Sequence, residues 1–139
     1  MATRINTTAT NTMADALADE FDTPAGTLYI YDNDGDGVPA DADTAITNQT
    51  LVAQITLPTP AFGAADNGQC SKAGTWQDTD ADASANVDGG FFRIVADNGE
   101  VIQGEIGAGK EMTLDDYDIV AGGTVTVSSY SFTMPESAS

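Results

Sequence analysis

Five aspartates lie within the segment YDNDGDGVPADAD, residues 31–43, and their spacing matches that of oxygen ligands for a hard cation. A calcium loop of the EF-hand type takes ligands from positions 1, 3, 5, 7 and 12 and has a glycine at position 6. Counted from the first aspartate, the candidate ligands are Asp32, Asp34, Asp36, the Val38 carbonyl and Asp43. The segment therefore predicts a site for Ca2+, the one cofactor that the sequence suggests.

The same segment has a second interpretation, as an acidic turn without a metal. Gly37 stands where a calcium loop needs it, but Pro39 and Ala40 restrict the second half, and Asp43 is shorter than the bidentate glutamate usual at position 12. Asn, Asp and Gly form turns in their own right. The calcium loop and the plain turn both remain open.

Two further acidic runs carry weaker signals. The run from Asp78 to Asp82 repeats the alternate spacing without a glycine, which favours a solvated loop. The run from Asp115 to Asp118 offers paired carboxylates for acid–base catalysis, but no partner base or apolar pocket is evident beside it. Neither run predicts a catalytic site.

The net charge of the chain limits the kinds of partner that we expect it to bind. Its 139 residues hold 22 acidic side chains against four basic ones, which gives a formal net charge of −18. Such a surface repels nucleic acid and anionic membrane, so we expect neither as a partner. The four basic residues are Arg4, Lys72, Arg93 and Lys110.

The chain also lacks most side chains of familiar catalytic centres. Histidine is absent, which removes the usual general base and the histidine-dependent nucleophiles. The single cysteine, Cys70, has no second cysteine with which to form a disulfide or a zinc site, and we expect it in a strand as a small buried residue. We therefore predict that the protein is not an enzyme.

Helical periodicity occurs once, near the start. Met13, Leu17 and Phe21 recur every four residues, with alanines beside them, and Asn11 or Thr12 would cap the first turn. This pattern predicts an amphipathic helix over residues 10–22, ended by the TPAG of residues 23–26. The helix must pack against other elements to bury its apolar side.

Those other elements are predicted to be β-strands. Five segments are short, rich in β-branched and aromatic residues, and bounded by Gly, Pro or Asp. They are TLYIY (27–31), TLVAQITL (50–57), GGFFRIVA (89–96), VIQGEIG (101–107) and GGTVTVSSYSFTMP (122–135). Between the third and the fourth, Asn98 and Gly99 predict a two-residue hairpin turn with positive φ at both.

The last of these segments alternates in two phases. Val125 and Val127 share one face, whereas Tyr130, Phe132 and Met134 share the opposite one, and a bulge near Ser128 and Ser129 would bring the two sets together. With one helix followed by strands at regular spacing, the fold is predicted to be mainly β, an antiparallel β-sandwich with one short N-terminal α-helix.

A single domain is expected, over residues 10–135, with an N-terminal arm at 1–9 and a flexible tail at 136–139. The first residues lack the apolar region of a secretory signal, and no stretch approaches the roughly 18 apolar residues of a membrane span. We therefore expect the protein to be made in a cytoplasm and not to be exported by the usual route.

The order of these motifs resembles a known family. GTLYIYD, PADADTA, TLVAQITLPTPAFG, GGFFRIVADNGEVIQGEIG and LDDYDIVAGGTVTVSSYSFTMP look like segments of short structural proteins encoded in the head-gene region of tailed bacteriophages. Some members of that family are similar to capsid decoration, or cement, proteins. The resemblance covers nearly the whole chain, but it lies in strand and turn patterns. The aspartate-rich residues 32–37 depart from it, since relatives have a plainer turn there.

The resemblance implies a virion structural protein, assembled in the host cytoplasm, that binds the phage major capsid protein on the outer capsid surface and stabilises the shell. It also implies self-association, with a trimer as one arrangement. We expect shell contacts in the stretches poorest in acid, at Arg4, Met13, Leu17, Phe21, Tyr130 and Phe132. The alternative for Leu17, Phe21, Tyr130 and Phe132 is that they belong to the core.

Two other functions remain open from the sequence. A tail, baseplate or head-fibre component would be present in few copies at one site on the particle. A calcium-dependent binding module would use the loop at residues 32–43 directly.

Overall fold

The structure, a computed structural model, describes residues 3–22 and 24–134. These residues contain one helix and ten strands, joined by turns and loops. The helix, α1, spans Thr7–Asp19. The strands are β1 Thr27–Tyr31, β2 Leu51–Thr56, β3 Gln69–Ser71, β4 Gln77–Asp78, β5 Ala85–Asn86, β6 Phe91–Val95, β7 Val101–Glu105, β8 Met112–Leu114, β9 Asp118–Ile119 and β10 Val125–Thr133. In this part of the chain no helix is long and apolar enough to cross a membrane.

The first sheet has the strand order β2-β1-β6-β7, with antiparallel pairs throughout. Alternation gives it a core side, where Leu28, Ile30 and Phe92 are fully buried, because successive side chains of a strand point to opposite faces. Its other side carries Tyr29 and Arg93, which are direct cross-strand neighbours. This outer side supports the acidic loop described below.

The second sheet is built around β10, which pairs antiparallel with β3, β4 and β8. The register of β10 against β8 shifts between Val127 and Ser129, as the sequence predicted. This bulge places the valines and the aromatic residues of β10 on the same buried side. A third, two-stranded sheet joins β5 to β9.

One core cluster joins the two larger sheets. The Phe92 ring of β6 meets the Tyr130 ring of β10 edge-on, with centroids 5.1 Å apart. Phe62, which lies outside the named strands, packs against four aromatic rings and is 5 % exposed. The predicted fold class, mainly β with antiparallel sheets and one short N-terminal helix, is confirmed.

The helix differs from its prediction in position and in its buried face. It begins at Thr7 and not at residue 10, because the Asn6 side chain caps it by accepting a hydrogen bond from the Ala9 amide at 2.9 Å. It ends at Asp19, so Phe21 lies beyond it. The buried stripe consists of Thr10, Ala14 and Ala18.

Small residues form that stripe because the helix lies close to neighbouring backbone. The Asn11 and Asp15 side chains accept hydrogen bonds from the Gly68 and Ala65 amides, at 2.7 and 2.8 Å. Met13 lies off this stripe and is 45 % exposed. Of the predicted apolar stripe, Leu17 packs partly against the core, Phe21 is buried beyond the end of the helix, and Met13 is exposed.

The β6–β7 hairpin is confirmed, but its turn is of another kind. The Gly99 amide donates to the Ala96 carbonyl at 3.1 Å, and the Ala96 amide donates to the Glu100 carbonyl at 2.8 Å. Gly99 has a φ of 103°, whereas Asn98 is outside the positive-φ region. The connection is therefore longer than a two-residue turn, with one glycine taking the positive φ. The predicted tail at 136–139 lies outside the described residues.

Candidate functional site

The first half of the acidic loop is held by its own hydrogen bonds to the segment before β2. The Asp34 carboxylate accepts from the Thr50 amide at 2.7 Å through Oδ1 and from the Thr50 hydroxyl at 2.5 Å through Oδ2. The Asp36 carboxylate accepts from the Thr47 hydroxyl at 2.7 Å, and that of Asp32 from the Asn33 amide at 2.8 Å. Three of the predicted ligands thus have protein donors.

The hydrogen bonds to Asp34 also change the pKa of its carboxyl group. The hydrogen bonds from the Thr50 side chain, and then from its amide, hold the pKa of the Asp34 carboxyl below its usual value. Because the folded-state pKa is lowered, this pair stabilises the fold above the usual aspartate range and ceases to do so as the pH falls through the lowered value.

The segment 47–50, TNQT, also belongs to the site, although the sequence pattern does not predict this. The Asn48 side chain accepts from the Asp36 backbone amide at 2.7 Å, and the Gln49 side-chain Nε2 donates to the Gly37 carbonyl at 2.6 Å. A side chain at Gly35 would place its Cβ 2.3 Å from the Asn48 Oδ1, so glycine is required there. Four consecutive polar residues before a strand were the available signal.

The second half of the predicted calcium loop is organised separately. The Asp41 carboxylate accepts from the amides of Asp43 and Thr44, at 3.1 and 2.9 Å, while the Asp43 residue is exposed. The Val38 residue is half-buried between the two halves. Within residues 3–22 and 24–134, no group of three or more Asp, Glu or Cys side chains is placed to hold a metal ion.

The calcium site stays a prediction, and a titration tests it. If residues 32–43 bind Ca2+, isothermal titration of the wild-type protein gives a saturable heat that is lost in Asp34→Ala, because a large cation needs several charged oxygens. Asp80→Ala, in the second acidic run, is the matched control and is expected to behave as wild type. Negligible heat in all three proteins would remove the site.

A buried arginine holds the loop against the outer side of the first sheet. Arg93 is 8 % exposed; its Nε donates to the Gln103 side chain at 2.8 Å, and its Nη2 donates to the carbonyls of Asp41 and Thr44. Gln103 in turn donates to the Pro39 carbonyl at 2.9 Å. The segment PADADT, residues 39–44, is therefore anchored by its backbone to β6 and β7.

The other two acidic runs bond within the chain. Asp78 accepts from the Gln54 amide of β2 at 3.1 Å and from the Asp80 amide at 2.9 Å. Asp118 accepts from the Asn86 side chain at 2.6 Å, across the β5–β9 pair. These carboxylates join loops to strands.

The predicted contact residues divide into two groups. Arg4 and Met13 are exposed, and Leu17 is partly buried against the core. Phe21, Tyr130 and Phe132 are 0 %, 5 % and 8 % exposed. These three side chains belong to the core, as the alternative assignment has it, and their rings pack against Phe62.

The prediction for Cys70 is also confirmed. Cys70 is fully buried in β3, with its Sγ 3.9 Å from the Asp15 carboxylate. Burial, followed by the charge of Asp15, raises the pKa of its thiol, so the reactive thiolate is disfavoured.

An open groove of about 410 Å3 lies on the second sheet, and among the residues that line it Tyr130 alone is a predicted contact residue. Its walls include the side chains of Lys72 and Lys110, which are two of the four basic residues. Four serines share it: Ser71, Ser128, Ser129 and Ser131. Tyr130 also lines the groove, and burial, followed by the nearby Glu111, raises the pKa of its phenol.

Comparison of the chain with protein-family models, with curated proteins and with solved structures gave no match.

Proposed function

We propose that this chain is a virion structural protein of a tailed bacteriophage, a decoration protein that binds the outside of the capsid and stabilises the shell. The proposal rests on the resemblance of nearly the whole chain to phage head-region proteins. The observation that supports it best is the charge of −18. Packaged DNA would repel such a protein from the inside of a shell, whereas on the outside the same charge keeps particles apart.

The arrangement of the acidic residues is compatible with that position. The aspartate-rich loop forms an outer layer on the first sheet, where Arg93 holds its backbone and leaves Asp43 exposed. A calcium ion bound there would stiffen this layer. Shell contacts are then expected on surfaces away from it, among which are the exposed Arg4 and Met13.

A decoration protein strengthens a particle because it binds the assembled shell better than it binds free subunits. We expect quantitative mass spectrometry of purified particles to find the chain in many copies distributed over the head. Particles that lack it should lose their DNA at a lower temperature than wild-type particles, and added purified protein should restore the wild-type temperature.

The same measurement separates the two structural roles. A handful of copies at a single vertex or on the tail would contradict decoration and favour the tail, baseplate or head-fibre role. Complete absence of the chain from particles would contradict both.

A further inference from the structure

Two Asn–Gly pairs occur in nearly the same local sequence, as DNGQ at residues 66–69 and as DNGE at residues 97–100. An asparagine before a glycine is prone to deamidation, because no side chain shields the backbone nitrogen that attacks the asparagine side chain. Since their neighbours are so alike, the two pairs should react at similar rates in an unfolded chain. A difference between them in the folded protein must therefore come from the structure.

The reaction consumes water and releases ammonia. The glycine nitrogen forms a bond to the asparagine Cγ, the Cγ–Nδ2 bond breaks, and the side-chain nitrogen leaves as ammonia with the proton of the backbone amide. Water then opens the cyclic imide at either of its carbonyls, which yields aspartate or isoaspartate. The glycine N–H must first leave its hydrogen bond, so the local opening of the chain at that N–H controls the rate.

The first pair is held by contacts from distant parts of the chain. The Gly68 amide donates to the Asn11 side chain of α1 at 2.7 Å, and the Gly68 carbonyl accepts from the Met134 amide at 2.8 Å. Gly68 is buried, and a Cβ built on it would lie 3.1 Å from the Thr10 Cβ. Release of the Gly68 nitrogen therefore requires the helix to separate from the turn.

The second pair has a local hydrogen bond at its attacking nitrogen. The Gly99 amide donates to the Ala96 carbonyl at 3.1 Å, and Asp97, Asn98 and Gly99 are all exposed. Apart from its chain neighbours, no atom of the described residues lies within 4 Å of a Cβ built on Gly99. A small cleft of about 70 Å3, whose lining includes Glu20 and Asn98, lies beside the turn. The turn can therefore open without disturbing the core, and water reaches it.

We propose that Asn98 is a site of spontaneous deamidation in the folded protein and that Asn67 is protected from it. The modification changes a contact between two elements, since Asn98 Nδ2 donates to the carboxylate of Glu20, the C-cap of α1, at 2.6 Å. In the product a carboxylate replaces the amide, so two acceptors of like charge face each other and the hydrogen bond is lost. The inference is independent of the proposed function.

Peptide mapping by mass spectrometry, on protein aged in mildly alkaline buffer, measures both sites in one sample. We expect Asn98 to be converted roughly tenfold faster than Asn67 in the native protein, because its turn opens more readily. The control is the same protein aged in guanidinium chloride at a concentration that unfolds it. There the two rates should agree within about threefold, because the folded contacts are absent.

Equal rates at the two sites in the native protein, or no conversion of Asn98, would overturn the inference. Asn11→Ala checks the cause of the protection, because it removes the acceptor of the Gly68 amide. We expect it to raise the rate at Asn67 and to leave that at Asn98 unchanged; an unchanged rate at Asn67 contradicts protection by the helix. Near-ultraviolet circular dichroism, which reports on the buried Trp76, establishes that the variant is folded.

Asn98→Asp reproduces the aspartate product and tests the changed contact. Relative to wild type, we expect amide hydrogen exchange in the last turn of α1 to be roughly threefold faster, because the hairpin no longer holds the C-cap. Glu20→Gln/Asn98→Asp restores a donor opposite the new carboxylate and should return exchange toward the wild-type rate. Exchange that is the same in all three proteins would show that the contact does not join the two elements.

Discussion

Replacing Phe62 by alanine is expected to lower the free energy of unfolding by about 4 kcal/mol, which is typical of a large ring removed from a rigid core. Its ring lies edge-on to those of Trp76 and Phe132, with centroids 5.4 and 5.1 Å away, and also meets Phe21 and Tyr130. Because these partners come from the turn after the helix, from the residue before β4 and from the C-terminal half of β10, no single shift can close the cavity. Urea unfolding followed by far-ultraviolet circular dichroism measures the loss.

Phe62→Leu is the matched control, because it keeps most of the apolar volume and removes the ring. We expect it to cost less than half as much as the alanine variant. A loss below about 1 kcal/mol for Phe62→Ala would show that the site collapses or is hydrated, and would contradict a core centred on this ring.

Replacing Arg93 by methionine is expected to cost about 2 kcal/mol, since charged hydrogen bonds to partly buried partners are lost while the apolar stem is kept. The released groups are the Gln103 side chain and the carbonyls of Asp41 and Thr44. Because these bonds hold the acidic loop on the sheet, amide hydrogen exchange across residues 39–44 should become faster, while exchange in β10 changes less.

Lys110→Met is the control for Arg93→Met, because it removes the same charge from an exposed position. Its stability should remain within about 0.5 kcal/mol of wild type. Equal effects of the two substitutions would mean that net charge, and not the anchoring of the loop, accounts for the change. Unchanged exchange over residues 39–44 in Arg93→Met would contradict the anchoring directly.

Much of the fold follows from local patterns. TLYIY coincides with β1, and the bulge in β10 follows from the change of phase between Val127 and Tyr130, because a strand with one buried face must keep its apolar residues on that face. The short strands β4, β5 and β9 have two residues each, too few to show any period. They exist because tertiary contacts bring their partners together.

The helix shows where a periodic pattern is insufficient. Met13 and Leu17 have the right spacing to face the core, yet Met13 is exposed, Leu17 is only partly buried, and the buried positions are Thr10, Ala14 and Ala18. Which stripe is buried depends on how near the neighbouring backbone lies, and that distance is set by elements far along the chain, such as the Gly68 turn.

The candidate site likewise combines features that the sequence predicts with features that depend on tertiary contacts. The sequence by itself determined the acidic loop, its turn glycines, the overall negative charge and the poverty of catalytic side chains, since these depend only on residue types and short spacings. Only the tertiary structure decided that Thr47 and Thr50 bind the loop carboxylates, that Arg93 anchors its backbone, and that Lys72 and Lys110 share one groove. These partners are separated by many residues, and only the pairing of strands brings them within a few ångströms of each other.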